Sequence, residues 1–509
     1  MKFRYLAIAL LCAGGLTGAA QQINPMTQSM LDGYAKLLEK NPKDYLSYYE
    51  RATQYYRLSM YDQALSDVKK ALEYTPAKDS FQLASEYSLL SDIYTQLEQY
   101  NEALTAANKA LELNPKDIQL LYAKGNLALR MNDLEGARAA FTAIQRQQPR
   151  NAEAVFGLAR IANKQGQPET AQQYLKDAES LAPANYLTYC RLGDIHTEMG
   201  DYTTAAADYL NAFSLANNSE RPLASLLALS REHFDAVESA IDYALTKTQN
   251  TVPLYFILGN GAIEAGQYGE AYEAFRQLLA TPDGNTPEIQ QTMAEICLHR
   301  GDLSEADTYA SRAVTGAPTV ENNLLKARIE AARGNYASSL LFAKAAIKQD
   351  PDSGDAYLLA ANAEYQRGNY PEAIQYLNEA IMINAEDWDA LMFRGYMQHN
   401  GLGGLNQGNT DFRRVMTLNA DTPRKLTYRA IAQQLAGFSM DASSTISAVA
   451  SGANTNPQYA YLTALYNAAC GNIADAKAME AKASELGFDD DYLLKYFNVP
   501  LISLAAIRE

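Results

Sequence analysis

The chain contains few of the residue types from which catalytic and metal sites are built. Its 509 residues include 4 cysteines, 4 histidines and 1 tryptophan. No two histidines form a His-Glu-x-x-His pair and no two cysteines form a Cys-x-x-Cys pair, the spacings typical of zinc sites. No Gly-x-Ser-x-Gly sequence indicates an activated serine. These absences predict a protein that is not an enzyme and that holds no metal and no cofactor.

The cysteines also give no disulfide framework. Beyond the N-terminus only Cys190, Cys297 and Cys470 occur, widely separated and odd in number. Secreted domains held by disulfides have paired, closely spaced cysteines. We therefore expect these three residues to be small buried side chains on helices, and a pairing or redox role is the alternative.

Basic residues are in the minority. Lysine and arginine number 43 against 59 aspartate and glutamate residues, for a formal net charge of −16 at pH 7. An acid excess of this size disfavours nucleic acid or an anionic membrane as the main partner. Beyond the N-terminus no run approaches the roughly 18 to 20 apolar residues that a membrane-spanning helix needs. We expect no transmembrane segment.

The N-terminus has the features of an export signal. Two basic residues precede an apolar run from Tyr5 to Leu11, and small residues end at Ala20. This order predicts a secretory signal peptide over residues 1–20. Cys12 suggests a lipid anchor as the alternative, but Leu11 precedes it where lipoprotein signals have a small residue. We expect the mature chain to be exported.

What the chain does contain is a pattern that recurs every 34 residues. Its clearest copy runs from Tyr45 to Lys78, with large, small and proline residues at fixed positions: Tyr48, Ala52, Tyr55, Tyr61, Ala64, Val68, Ala71 and Pro76. Further copies begin at or near Ala84, Ile118, Ala152, Tyr186, Val252, Pro287, Val320, Gly354, Trp388, Pro423 and Pro457. This period and pattern resemble the tetratricopeptide repeat (TPR). One unit of such a repeat cannot bury its apolar face alone, so the units must stack.

The resemblance implies an all-α fold, a TPR solenoid of antiparallel helix pairs stacked into a right-handed superhelix of about 13 repeats. In this organisation residues 21–44 form an N-terminal capping helix, and residues 45–219 form units 1 to 5. Residues 220–251 form a degenerate helical pair, residues 252–487 form units 7 to 13, and residues 488–509 form a C-terminal capping helix. The glycine-rich stretch from Gly401 to Gly408 lacks the Lys-Ser/Thr of a phosphate loop, and we interpret it as an extended turn.

The resemblance also implies a binding surface. In TPR proteins, positions 2, 5, 6, 9, 12 and 13 of each first helix face a concave groove. By this register a first candidate patch for peptide or protein binding comprises Tyr49, Tyr56, Tyr122, Asn126, Arg130, Phe156, Arg160, Asn163 and Lys164. A second, aromatic patch comprises Asn362, Tyr365, Phe393, Tyr396, Tyr428 and Tyr461. The alternatives are ordinary solvated residues for the first patch and packing between neighbouring helices for the second.

The first patch departs from the carboxylate clamp that binds chaperone C-termini, because Asp194 and Glu198 occupy positions where that clamp has amide or basic residues. A chaperone C-terminus is therefore not implied. A signal peptide followed by TPR units resembles cell-envelope proteins of Gram-negative bacteria, periplasmic or associated with the outer membrane. The leading hypothesis is a non-catalytic protein–protein interaction scaffold of the envelope. The alternatives are a glycan- or peptidoglycan-binding accessory protein that uses the tyrosine-rich groove, and self-association.

Overall fold

The computed structural model describes residues 25–216, 219–281, 284–402 and 410–487. Within these ranges the regular structure is α-helical throughout. None of the helices in the described ranges is both long and apolar enough to cross a bilayer. The predicted signal peptide and C-terminal capping helix, and most of the glycine-rich stretch after Gly401, lie outside the described residues. The chain divides into two compact bodies, an N-terminal body that ends at Gln249 and a C-terminal body that begins at Asn250.

The N-terminal body consists of helices joined by short turns. Its described helices are α1 (Pro25–Lys40), α2 (Tyr45–Arg57), α3 (Tyr61–Tyr74), α4 (Ser80–Gln96), α5 (Tyr100–Leu113), α6 (Ile118–Arg130), α7 (Leu134–Gln147), α8 (Ala152–Lys164), α9 (Pro168–Leu181), α10 (Tyr186–Met199), α11 (Tyr202–Leu215) and α12 (Glu220–Leu245). Helix α12 covers the predicted degenerate pair, and His233, with φ −136° and ψ 47°, breaks it into two segments. The range predicted to hold a degenerate helical pair is thus a helix with a kink at His233.

The C-terminal body is likewise built from helices. Its described helices are α13 (Val252–Glu264), α14 (Tyr268–Leu279), α15 (Pro287–His299), α16 (Leu303–Gly316), α17 (Val320–Ala332), α18 (Tyr336–Gln349), α19 (Gly354–Gln366), α20 (Tyr370–Ile383), α21 (Trp388–His399), α22 (Thr410–Thr417), α23 (Pro423–Leu435), α24 (Ser439–Ala450), α25 (Pro457–Ala469) and α26 (Ile473–Glu485).

The helix boundaries follow the 34-residue pattern. The predicted unit starts coincide with the first residues of first helices, as at Tyr45, Ile118 and Trp388. Each first helix packs against the second helix of its own repeat. The one offset is α4, which begins at Ser80 because the Asp79 carboxylate caps it by accepting a hydrogen bond from the Gln82 amide at 3.2 Å. The predicted all-α repeat fold is thus confirmed.

A single turn position ends the first helices. Position 15 of the repeat has a positive φ angle in most of the described units, usually at a glycine, as at Gly200 with φ 79°. In the unit that begins at Trp388 the positive φ falls one residue earlier, at Gly401. Three units instead have Ser59, Glu98 or Asn132 at position 15, with φ near 60°. The left-handed conformation costs a residue with a Cβ roughly 1–2 kcal/mol. The turn is therefore encoded locally, and it is strained where glycine is missing.

This strain gives a prediction with opposite signs at two equivalent positions. Replacing Glu98 with glycine is expected to stabilise the N-terminal body by about 0.5–1 kcal/mol, because relief of the strained φ exceeds the entropy cost of glycine in the unfolded chain. Replacing Gly200 with alanine is expected to destabilise it by about 1 kcal/mol. Urea denaturation of both variants measures the two changes, and equal signs would contradict the account.

Helices approach closely where glycine faces an aromatic ring. A Cβ atom built on Gly125 would lie 2.7 Å from the Phe141 ring, and one built on Gly157 would lie 2.6 Å from it. The Phe141 ring, fully buried, therefore fills the space between α6, α7 and α8. The same packing of a glycine against an aromatic ring recurs between Gly193 and Tyr209. The small residues of the first helices thus leave the space into which large side chains of the second helices pack.

Two of the three cysteines, Cys190 and Cys297, are small buried side chains on helices as expected, whereas Cys470 directly follows the end of α25. Cys190 and Cys297 are fully buried, and Cys470 is half-buried. Burial raises the pKa of the Cys190 and Cys297 thiols, which keeps them in the unreactive protonated form. All three are free of disulfide bonds.

Candidate functional site

Six residues of the first candidate patch line one cavity of about 670 Å³ in the N-terminal body. Tyr122, Asn126 and Arg130 come from α6, at repeat positions 5, 9 and 13. Arg160, Asn163 and Lys164 come from α8, at positions 9, 12 and 13. On α6 one helical turn separates successive members, and on α8 Asn163 and Lys164 both lie about one turn after Arg160, so the side chains of each helix share a face. We call the cavity that these six residues line the cationic groove.

The groove has three further members that were not part of the predicted patch. Arg191 and Glu198, both on α10, and Leu129 on α6 also line it. Glu198 forms an ion pair with Arg160 at 2.7 Å, and its backbone carbonyl accepts a hydrogen bond from Asn163 at 3.4 Å. Arg191 stands at position 6, one of the groove positions of the register, so the pattern contained the signal that would have found it.

Tyr122 is held in place at the floor of the groove. Its hydroxyl donates a hydrogen bond to Glu153 at 3.0 Å, and its ring meets the Phe141 ring edge-on with centroids 6.1 Å apart. Glu153 lies 3.6 Å from the guanidinium of Arg191. Burial is the main cause that raises the pKa of Tyr122, so the phenol stays protonated at neutral pH. The Tyr122 side chain is therefore a fixed and uncharged part of the groove lining.

The groove carries excess positive charge in an acidic protein. Four cations line it, Arg130, Arg160, Lys164 and Arg191, while Glu198 is the one carboxylate of the lining and Glu153, outside the lining, pairs with Arg191. In the described part of the chain, Arg130 and Lys164 form no ion pair with a carboxylate. The Nε atom of Arg160 is buried without a hydrogen-bond partner in the same ranges. Cationic and amide donors that are not fully used favour an anionic or hydrogen-bond-accepting ligand.

Phe156 does not belong to the groove, contrary to the sequence-based prediction. Its side chain is 4% exposed and packs in a core cluster with Leu192 and Ile195 of the next repeat. It stands at position 5, as does the half-buried Tyr122, but the apolar side chains of α10 cover it. The register predicted its helix face correctly and could not predict how far the neighbouring helix would cover that face.

Tyr49 and Tyr56, the remaining members of the first patch, are half-buried and lie elsewhere. They line a separate cavity of about 420 Å³ between α2, α4 and the start of α6. Arg57 lies at the rim of this cavity, and α4 contributes Phe81 and Asp92 to it. The predicted patch therefore divides between two cavities in the same body.

Half of the second, aromatic patch is buried, contrary to the sequence-based prediction of a groove surface. Phe393, Tyr428 and Tyr461 are at most 1% exposed and belong to the hydrophobic core of the C-terminal body. Tyr428 is further fixed by donating a hydrogen bond from its hydroxyl to Asp389 at 2.7 Å. These three residues serve the packing of neighbouring helices, the alternative that the sequence left open. Their faces are not available to a ligand.

The other members of the second patch are half-buried. Tyr365 packs edge-on against Phe393 with ring centroids 5.4 Å apart, and it shares a side-chain hydrogen bond with Tyr396. Burial, followed by the proximity of Tyr396, raises the pKa of Tyr365 to about 12. Asn362 lies one turn earlier on the same helix, also half-buried. What remains is too small a surface to match the predicted aromatic groove.

Comparison with known families gives matches in both bodies. Three family models, each described as a tetratricopeptide repeat, match the chain: the first at residues 122–186 and 324–390, the second at 84–117 and the third at 186–219. The matched ranges agree with the repeat units that begin at Ala84 and Tyr186. They include α6 and α8, whose side chains form the cationic groove. No curated protein matches the chain.

Several solved structures are similar to parts of the chain. YrrB, described as a TPR protein with an unusual peptide-binding site, is 19% identical, covers 38% of this chain and 98% of its own, and has a TM-score of 0.28. MamA from Desulfovibrio magneticus RS-1 is 20% identical over 37% of this chain and 98% of its own, with a TM-score of 0.28. Yeast Tom70 is 15% identical over 74% of this chain and 100% of its own, with a TM-score of 0.31. Likenesses this low carry no information about ligands.

Proposed function

This chain is a tetratricopeptide repeat protein, and from that premise we propose that it is a non-catalytic interaction scaffold that binds an acidic segment of a protein partner in the cationic groove. Proteins built from such repeats generally serve as interaction modules, because stacked helix pairs present an extended surface. The observation that carries the proposal is charge. In a chain of net charge −16, four cations line one cavity, and after Glu198 and Glu153 pair with Arg160 and Arg191 the cations Arg130 and Lys164 remain.

The two helices of the groove offer complementary donors. Arg130 and Lys164, which form no ion pair within the described residues, supply charge-assisted hydrogen bonds to carboxylates of the bound segment. Asn126 and Asn163 supply amides that bond the N–H and C=O groups of an extended backbone. Arg160 is pre-oriented by its ion pair with Glu198. A segment with acidic side chains or a free C-terminus satisfies all of these groups.

We extend the proposal to location. The protein is exported and acts in the bacterial cell envelope, in the periplasm or at the outer membrane. The support is the basic, apolar and small-residue order of residues 1–20. N-terminal sequencing of the protein isolated from cells tests this, with Gln21 as the expected first residue and Met1 as the contrary result.

The glycan-binding alternative has lost its main support. It needs exposed aromatic faces that stack on sugar rings, and the aromatic side chains of Phe393, Tyr428 and Tyr461 are buried. Tyr122 is half-buried with its hydroxyl already bonded to Glu153. Among the residues that line the cationic groove, charged and amide side chains outnumber the single aromatic one, which favours a protein segment over a sugar at this site.

Photocrosslinking in the cells that make the protein tests the proposed function. A photoreactive phenylalanine derivative replaces Lys164, which is exposed at the rim of the groove, and mass spectrometry identifies the adducts. We expect one protein partner to be captured. The adduct should fall at least tenfold when Arg130 and Arg160 are both replaced with alanine, because two charge-assisted contacts are removed.

Two controls separate the groove from surface charge in general. The same crosslinker at Lys176, exposed on the second helix α9, should capture no specific partner. Replacing Arg146 and Arg150, two exposed arginines outside the groove, removes the same charge and should leave the adduct unchanged. An adduct that survives the Arg130 and Arg160 replacements would refute the groove as the binding site.

A further inference from the structure

The cavity that contains Tyr49 and Tyr56 combines aromatic rings with a carboxylate. Tyr49 and Tyr56 project from α2, while Phe81 and Asp92 come from α4. Phe81 is 77% exposed, which is unusual for a phenylalanine. The cavity of about 420 Å³ has the volume of a small-ligand site. We call these four residues the aromatic–carboxylate pocket, which is separate from the cationic groove.

Asp92 has no partner inside the protein. Within the described residues, no donor forms a hydrogen bond with its carboxylate and no lysine or arginine forms an ion pair with it. Arg57 also lines the cavity, but it is exposed and remains unpaired with Asp92. Asp117, the other carboxylate of the cavity, is already bonded to the backbone amides of Gln119 and Leu120. Of the two carboxylates that line the cavity, Asp92 is thus the one without a hydrogen bond or ion pair to any described residue.

An unpaired, largely buried carboxylate lowers the stability of the folded state when it is charged. Burial is the sole cause that raises the pKa of Asp92, to about 6. A raised carboxyl pKa means that the native state gives up stability as the pH rises from about 4 to 6, since the folded protein then holds a desolvated charge. An external cation would remove this cost. Aromatic rings near the carboxylate add to the attraction for a cation, because the faces of a ring carry negative partial charge.

We propose that the aromatic–carboxylate pocket binds the cationic side chain of a lysine in a partner protein. The ammonium group pairs with Asp92, and the aliphatic part of the side chain lies against Tyr49 and Tyr56, the two tyrosines whose phenols the Asp92 charge reaches. Charge complementarity selects this occupant, because the pocket offers one free carboxylate among aromatic faces. The pocket lies on the same series of first helices as the cationic groove, and its occupancy does not depend on what the groove binds.

Ligand-observed saturation-transfer NMR on the full chain tests the pocket directly. The probe is Nα-acetyl-lysine N-methylamide, and its norleucine analogue, which lacks the charge, is the neutral reference. We expect saturation transfer to the ε-methylene protons of the lysine probe. Its Kd should rise at least tenfold in Asp92→Asn, while the norleucine analogue shows at most weak transfer in both proteins.

Matched variants keep the test independent of folding and of the groove. Asp62→Asn removes the same charge from an exposed position on α3 and should leave the Kd unchanged. The Arg130→Ala and Arg160→Ala double variant should also leave it unchanged, which separates this pocket from the proposed groove. Asp92→Asn should unfold no more easily than the parent, because it removes a desolvated charge. An unchanged Kd in Asp92→Asn, or equal binding of norleucine, would overturn the proposal.

The pH dependence gives a second readout. The titratable or charged groups that share the cavity with Asp92 are Tyr49, Tyr56 and Arg57 on α2 and Asp117 before α6. Burial raises the pKa of both Tyr49 and Tyr56, so the two phenols stay protonated between pH 5 and 7.5. Asp92, with a pKa of about 6, goes from charged to neutral as the pH falls from 7.5 to 5. Lysine binding should therefore weaken several-fold as the pH falls from 7.5 to 5, and a flat profile would contradict the role of Asp92.

Discussion

Replacing His196 with alanine is expected to lower the free energy of unfolding of the N-terminal body by about 3–5 kcal/mol, the usual cost of leaving a buried charge without its partner. His196 is 3% exposed, and its Nδ1 atom lies 2.6 Å from the carboxylate of Asp208. Its Nε2 atom lies 3.2 Å from the side-chain oxygen of Gln172 on α9. One imidazole thus connects α9, α10 and α11.

The cost arises from what remains around Asp208. Burial raises the pKa of this carboxyl, and the hydrogen bond from His196 opposes that rise. Its other charged neighbours, Glu179 and Asp201, are carboxylates and raise the pKa further. Without His196 only unfavourable influences are left. The destabilisation should therefore be larger at pH 7.5 than at pH 4.5, because Asp208 is nearer its neutral form at low pH.

Chemical denaturation at the two pH values measures both effects. His399→Ala, the same substitution at an exposed residue of the C-terminal body, should change stability by no more than about 0.5 kcal/mol. The double variant with Asp208→Asn should recover part of the loss, since a neutral amide replaces the isolated charge. A loss of less than about 1 kcal/mol in His196→Ala would contradict the role assigned to this contact.

Replacing Gly157 with valine is expected to destabilise the N-terminal body by about 3 kcal/mol, at the upper end for overpacked cores. Even the first added carbon would lie 2.6 Å from the Phe141 ring, which is fully buried and closely flanked on its other side by Gly125. The ring has nowhere to move without separating α6 from α8. These are the two helices that supply the six predicted residues of the cationic groove, so binding should weaken together with stability.

The Gly157 effect has its own controls. Gly269→Val, on α14, places the same side chain where no atom lies within 4 Å of the new Cβ, and it should change stability by about 0.5 kcal/mol or less. In the Gly157→Val background, Phe141→Ala should cost much less than the 3–5 kcal/mol expected for it alone, because the two groups compete for one space. Additive losses would show that the ring and the glycine are not in conflict.

The sequence predicted the fold and the placement of several groove residues on neighbouring helices for the same reason. A period of 34 residues determines which side chains share a helix face, so Asn126, Arg130 and Arg160 were correctly expected on neighbouring first helices. It does not determine how deeply the next repeat covers that face. Phe156 shares its repeat position with Tyr122, yet Leu192 and Ile195 of α10 bury it. Depth depends on contacts between repeats, which the pattern does not encode.

The same limit explains what the sequence-based site omitted. Glu198 was interpreted only as a departure from a known clamp, whereas the structure pairs it with Arg160. Asp92 stands at position 9, a groove position of the register, but nothing in the sequence shows that it lacks a partner. Ion pairs and unpaired charges depend on distances of a few ångströms between side chains of different repeats. Only the folded chain supplies those distances.

The central claim is that the cationic groove binds an acidic segment of a protein, and the composition of the crosslinked segment tests it most directly. The measurement is peptide-level mass spectrometry of the adduct formed from position 164 in cells. The account predicts one partner protein, attached within a segment that carries several Asp or Glu residues or a free C-terminus. An attached segment without acidic groups, or an adduct that contains sugar and no peptide, would contradict the claim.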